Sequence, residues 1–392
     1  MRDLLEESFR AAVAAADPLK ILAPHLPPPP KGRTFVAAAG KAAASMALAV
    51  ERDFPSEVEG VAITRYGHGL PTRRIRVVEA GHPVPDAAGE TAAAEILSEA
   101  GKLGPDDLLL ALISGGGSSL LSLPAPGVAM KDLKILTTQL LRSGAAIQEI
   151  NTVRKHLSAI AGGRLAAASR APVVALIISD VTGDDPTHIA SGPCAPDPTT
   201  IEDARAVLTK YRIEFRGSFS ETPKSGNATN KVIATAYRSL EAAAEVFRKH
   251  GIRPEILGDT ITGEAREVGR EMAGLARRTR GPAALISGGE CTVTIKDTRE
   301  NEGGRGGRCA EFLLALGIEL GDAWAIAADT DGIDGTEDNA GAIWSPDSAK
   351  RPDAKAFLAK NDSYGFFSAL GGLVVTGPTR TNVNDYRAIL VP

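Results

Sequence analysis

The chain has 392 residues, 43% hydrophobic and 23% charged, the composition of a globular protein and not of a disordered or fibrous one. Its 44 basic and 48 acidic side chains leave a formal charge of -4, so there is no positive excess to neutralise a nucleic-acid backbone. No apolar run reaches the roughly 18 residues of a membrane-spanning helix, and because single cores stop growing at roughly 250 to 300 residues, more than one domain is expected.

The opening segment, MRDLLEESFRAAVAAADPLKIL, carries Asp3, Glu6 and Glu7 where a secretory signal would be uninterrupted and apolar, and predicts an amphipathic helix. A proline run at residues 27–30 then predicts a stiff connector. Beyond it, short apolar runs alternate with alanine-rich helical stretches: TFVAAAG, VEGVAIT, IRVVEAG, DLLLALISGGG, VVALIISDVTGDD, AALISGGE, WAIAADTDG and GLVVTGPT. Apolar runs of strand length separated by helices predict an α/β protein with mainly parallel sheets covered on both faces. The polar, turn-rich RGSFSETPKSGNATNK marks a boundary, which gives domains at 1–230 and 231–392. The echo of Leu-Ile-Ser-Gly-Gly at Leu112 and Leu285 suggests two α/β halves facing one cleft.

Most of these runs end in glycine or a small polar or acidic residue, the rim at which open α/β sheets bind ligands. Ser114, Gly115, Gly116, Gly117, Ser118 and Ser119 present consecutive unhindered N–H groups where a phosphate can sit, although a tight turn has similar letters. No G-x-x-x-x-G-K-[ST] and no G-x-G-x-x-G occurs in the chain. Lys41, just before a predicted helix, is a candidate anion ligand, because a cation is disfavoured at that end of the helix dipole unless an anion shares the site; the alternative is a solvated surface lysine.

Residues 150–164 read as one helix with Asn151, Arg154, Lys155 and His156 near its start, either a substrate-facing cluster or a charged exposed face. Asp180, Asp184 and Asp185 follow one predicted strand, and Asp329, Asp331, Asp334, Glu337 and Asp338 follow another. Carboxylates gathered at strand ends suit Mg²⁺, while turn and capping roles account for some of them. Gly303 opens a glycine loop containing Arg305 and Arg308, suited to bidentate contact with an anion. Cys194, Cys291 and Cys309 are odd in number and far apart, which favours a reducing, cytoplasmic setting.

Taken in order, GKAAASMA, EAGHPVPD, LISGGGSSLL, INTVRKHLSAIAGGRLA, ISDVTGDDPTHIASGPCAPDPTT, LISGGECTVTI, GGRCAEFLLALG, AADTDGIDGTEDNAGAI and TGPTRTNVND resemble the glycerate 2-kinases whose C-terminal part is the MOFRL domain. The resemblance implies a Rossmann-like N-terminal α/β domain, a smaller MOFRL-type domain, an interdomain cleft, and ATP- and Mg²⁺-dependent phosphorylation of D-glycerate on its 2-hydroxyl. The chain departs from the family in its shorter loops and in offering both Arg305 and Arg308 where one arginine is expected; the role goes to Arg308, which directly precedes Cys-Ala-Glu.

On this reading Lys41, Arg308, Asp180 and Asp331 are catalytic, and Ser114 to Ser119 with Glu290 hold the nucleotide. Asn151, Arg154 and Lys155 line the substrate end, and Asp180, Asp184, Asp331 and Asp334 are metal ligands. The partners are small molecules, with neither nucleic acid nor membrane, and a homodimer stays open. Two rival readings are an NAD(P)-dependent hydroxypyruvate reductase, which the missing glycine fingerprint disfavours, and a non-catalytic sensor of a sugar-acid phosphate, which has no use for so many carboxylates.

Overall fold

The computed structural model describes residues 1–295 and 304–392, so Gly303 of the glycine loop lies outside the described residues. The chain forms two compact units, Pro18–Ile233 and a second composed of Met1–Asp17 with Ala234–Pro392. The contiguous division at residue 230 therefore needs correcting at the N-terminus. The predicted first helix is present, Arg2–Ala14, but it buries Leu5, Phe9 and Ala12 against Leu240, Ala243 and Phe247 of the helix Ala236–Lys249 in the C-terminal unit. Its apolar stripe announces burial; nothing in it names the partner.

In the unit Pro18–Ile233, six strands form one sheet: β1 (Thr34–Ala39), β2 (Val58–Arg65), β3 (Ile75–Ala80), β4 (Leu108–Ile113), β5 (Val173–Ile178) and β6 (Thr229–Ala234). Their order is β3-β2-β1-β4-β5-β6, and β1 to β5 run parallel. The central strands β1 and β4 are buried along their whole length, which is why their sequences are continuously apolar instead of alternating. Phe35, Ile63, Ile96, Leu109 and Ile113 share one core on this sheet. The strand order reverses between β1 and β4, so the chain leaves these two neighbours in opposite directions and opens a crevice at their carboxyl ends.

The second unit adds β7 (Arg253–Gly258), a two-residue pair β8 (Gly263–Glu264) and β10 (Cys291–Thr292), and then β9 (Ala283–Gly289), β11 (Trp324–Asp329), β12 (Gly341–Trp344), β13 (Leu373–Val374) and β14 (Asp385–Val391). The main sheet runs β13-β12-β11-β14-β9-β7. The α/β class holds, but this sheet is not parallel: only β7 and β9 pair in parallel, and the other four pairs are antiparallel. The runs legible in the sequence, β9, β11 and β13, do share one direction; β14 and β12 are inserted between them and point the opposite way.

Candidate active site

In the N-terminal unit the crevice between β1 and β4 is closed by a short hydrogen-bonded lattice. The chain leaves β1 through Gly40, Lys41 and Ala42 before the helix Ala43–Asp53, and leaves β4 through Ser114, Gly115 and Gly116 before the single turn Gly117–Leu120. The Lys41 N–H donates to the Gly115 carbonyl at 2.8 Å, and the Ala42 N–H donates to Ser114 Oγ at 3.0 Å. Gly40 has φ +126°, and a Cβ there would stand 2.2 Å from Ser114 Oγ, so only glycine lets the two loops meet. Lys41, half-buried, thus has its backbone fixed beside the glycine-serine loop.

The six residues of the loop have different roles. Ser114 is fully buried and serves the lattice. Ser119 Oγ donates to the Gly116 carbonyl at 3.1 Å, and Ser118 Oγ lies 2.8 Å from Ser191 Oγ. Gly116 adopts φ +79°, and a Cβ on it would lie 2.9 Å from His82 Nε2 and 3.3 Å from Lys41 Cγ. His82, which follows β3, therefore belongs to this rim. The sequence showed it only within EAGHPVPD, without a role of its own.

The helix read from residues 150–164 spans Ile147–His156 instead. Arg154, Lys155 and His156 consequently occupy its last turn and not its start, at the end of the dipole that favours cations. Arg154 donates through Nη2 to the Ser118 carbonyl at 2.7 Å, and loss of hydration lowers its guanidinium to about 10. Asn151 is buried and accepts from Ser191 Oγ at 3.4 Å. Arg154 reaches the glycine-serine loop directly, and Asn151 only through Ser191, whose hydroxyl also meets Ser118. Lys155 does not: it forms an ion pair with Asp197 at 3.3 Å in which both side chains are at most 1% exposed. Burial raises the Asp197 carboxyl, but the Lys155 charge and the Thr199 hydrogen bonds outweigh it and hold the group below its usual range. Asp180 and Asp184 follow β5 on partly buried backbone, Asp184 with φ +54°.

In the C-terminal unit Arg308 begins the helix Arg308–Leu320. Its guanidinium meets three carboxylates: Nη1 to Glu290 Oε1 at 2.9 Å, Nη2 to Asp329 Oδ2 at 2.6 Å and Nε to Asp385 Oδ1 at 2.8 Å. Arg387 Nη2 takes the other Asp385 oxygen at 2.8 Å. Burial alone would raise the Asp385 carboxyl; Arg308 and Arg387 reverse that and hold it below the ordinary carboxylate range. Of these partners, only Glu290 is exposed. The sequence reading held Asp385 only as the end of TGPTRTNVND and missed Arg387, because YRAILV was not recognised as a strand.

Asp334 is not placed as a metal ligand. Its two oxygens accept the N–H groups of Cys309 at 2.9 Å and Ala310 at 2.8 Å, capping the helix that Arg308 begins. Burial pushes its carboxyl up to about 7, against the pull of those two donors. Asp331 is buried in a turn, accepting from the Ile333 N–H at 2.8 Å. Among the described residues, no group of three or more His, Cys, Asp or Glu side chains is arranged to hold a metal ion, and no helix is long and apolar enough to cross a membrane.

Residues 4–221 match a family model described as a domain of unknown function, DUF4147, and residues 283–385 match the MOFRL family. An Agrobacterium vitis protein bearing the name "Putative hydroxypyruvate reductase" is 50% identical over 416 residues, which span 100% of this chain and 94% of that protein. A glycerate 2-kinase of Pyrococcus horikoshii is 42% identical over 385 residues, covering 91% of this chain and 86% of the relative. The crystal structure of a Thermotoga maritima glycerate kinase superposes with a TM-score of 0.89 at 38% identity, covering 100% of this chain and 99% of that one.

Proposed function

For a chain that belongs to the glycerate 2-kinase family, with a DUF4147 region followed by a MOFRL region, we propose transfer of the terminal phosphoryl group of ATP to the 2-hydroxyl of D-glycerate. The hydroxyl oxygen attacks the γ-phosphorus, the bond to the β-phosphate oxygen breaks, and ADP and 2-phosphoglycerate leave. Such a transfer needs positioning and charge neutralisation more than a covalent nucleophile. The observation that carries this reading is the lattice at the β1/β4 switch point, where the Lys41 N–H donates to the Gly115 carbonyl and the Ala42 N–H to Ser114 Oγ, so that Lys41 is held against the glycine-serine loop.

Lys41 neutralises the transferring phosphoryl, Gly115 to Ser119 cradle the phosphates, and Arg154, with Asn151 acting through Ser191, holds that loop in place. Arg308 acts as the second cation, exchanging its one exposed partner, Glu290, for a substrate anion. Mg²⁺ enters as part of the MgATP substrate, since Mg²⁺ is ordinarily held by one or two carboxylates plus phosphates; Asp180, Asp184 and Asp331 are the carboxylates proposed to meet it or to take the hydroxyl proton. The setting is the cytoplasm, consistent with three free, buried cysteines.

The reductase reading requires a dinucleotide fingerprint in the first βα turn. That turn reads Gly-Lys-Ala-Ala-Ala-Ser from Gly40, without the second and third glycines. Incubation with D-glycerate, ATP and Mg²⁺ should yield 2-phosphoglycerate, and Lys41→Ala should lower kcat by about 100-fold or more. NADH or NADPH oxidation by hydroxypyruvate, with no phosphoglycerate formed, would establish the rival instead. Binding of 2-phosphoglycerate without ATP consumption would establish the sensor.

A further inference from the structure

A cavity of about 290 Å³ adjoins the glycine-serine loop, lined entirely by residues of the N-terminal unit. Its lining includes the polar Ser118, Ser119 and Arg154 beside Gly116, and the apolar Pro83, Val84, Leu141 and Ile147. Val84, Leu141 and Ile147 are 62%, 60% and 53% exposed, three of the few large hydrophobic side chains that this protein leaves in water. Glycerate has three carbons, each bearing oxygen, and offers nothing for such side chains to cover. A nucleobase does, since its two flat faces are apolar and its edge is polar.

Part of the polar lining has a definite sense, beside the donors Lys134 and His82. On the helix Met130–Arg142, Thr137 Oγ1 donates to the Leu133 carbonyl at 2.8 Å and Thr138 Oγ1 to the Lys134 carbonyl at 2.9 Å. Ser119 donates its hydroxyl hydrogen to the Gly116 carbonyl. With their hydrogens committed to the backbone, these hydroxyls face a ligand as acceptors. These three hydroxyls suit an exocyclic amine.

We propose that this cavity seats the base of the nucleoside triphosphate, an amine-bearing purine such as adenine, with its triphosphate running over Gly116 toward Lys41. The assignment rests on the kinase reading and adds the location and chemistry of the base site to it. Leu141 reaches the base from an exposed position, so Leu141→Glu disturbs the lining without touching the core. Thr137→Val removes one acceptor at constant volume.

Steady-state kinetics with ATP, ITP and D-glycerate test the site. Leu141→Glu should raise KM for ATP at least tenfold while leaving KM for D-glycerate unchanged. The unmodified protein should favour ATP over ITP, which has a carbonyl in place of the amine, by about tenfold in kcat/KM, and Thr137→Val should narrow that gap. An unchanged KM for ATP in Leu141→Glu, or a rise confined to D-glycerate, overturns the assignment. Should the unmodified protein transfer no phosphoryl group, the kinase reading fails separately. Calorimetry with AMP-PNP then decides the cavity alone: binding weakened at least tenfold by Leu141→Glu supports it, and equal binding, or none to either protein, refutes it.

Discussion

Asp334 looked like a metal ligand as a letter in an acidic run and is a helix cap in three dimensions. The reason is position: its turn brings both oxygens to the N–H groups of Cys309 and Ala310, donors that a helix start leaves without intrahelical partners. Burial raises its carboxyl to about 7, above the roughly 3.9 of an unfolded aspartate. The folded state then holds the proton more tightly, so the stability linked to this group is present below about pH 4 and is lost as pH rises through about 7. Urea unfolding at pH 5 and pH 8 should show the native protein losing stability relative to Asp334→Asn as pH rises. At either pH, Asn places an amine against one N–H and should lose about 1–3 kcal/mol of hydrogen bonding. A gap that moves in favour of the native protein toward pH 8 would mean that the two N–H donors, and not burial, control the group.

At the scale of elements, the loops after β1 and β4 matter more than either strand. They meet because Gly40 lets Ser114 approach, and they leave room for Lys41 and His82 because Gly116 has no side chain. Gly116→Ala would force an L-residue into φ +79° and set its methyl against His82 and Lys41, a backbone penalty of about 1–2 kcal/mol. The larger consequence is functional: displaced Lys41 should lower kcat/KM at least tenfold with only a few degrees lost in Tm, checked by kinetics beside calorimetry. The Arg308 cluster has the opposite character. Removing one member of such a buried set strands the others, at about 3–5 kcal/mol, so an Arg308 variant tests folding as much as chemistry.

At the scale of the molecule, the C-terminal unit borrows its first helix from the opposite end of the chain. Phe9 lies 5.9 Å from the Tyr386 ring, and Tyr386 Oη bonds Ser8 Oγ at 2.8 Å. Removing residues 1–17 should therefore weaken the unit that is distant in sequence and leave the one that follows directly. In hydrogen exchange, protection should fall in the helix Ala236–Lys249 and in β9, β11 and β14, while β1 to β5 keep theirs. Loss of protection in β1 to β5 first would place the helix with the wrong unit.

Eight strands, the α/β class and the glycine-serine turn were legible from residue order alone, because continuous burial writes continuous apolar runs and tight turns require glycine; that Lys41 stands beside that turn was decided by the fold. The ordered motifs also carried the family. The sense of the second sheet, the home of the first helix and the partners of Asp334, Lys155 and Arg308 were decided only by tertiary structure. Strand β14 carries Asp385 and Arg387 inside an otherwise apolar run, charges that argue against a central strand until the fold supplies Arg308 to the first and Asp385 to the second. Local patterns record how deeply a segment is buried; which neighbour meets it depends on contacts between residues tens or hundreds of positions apart.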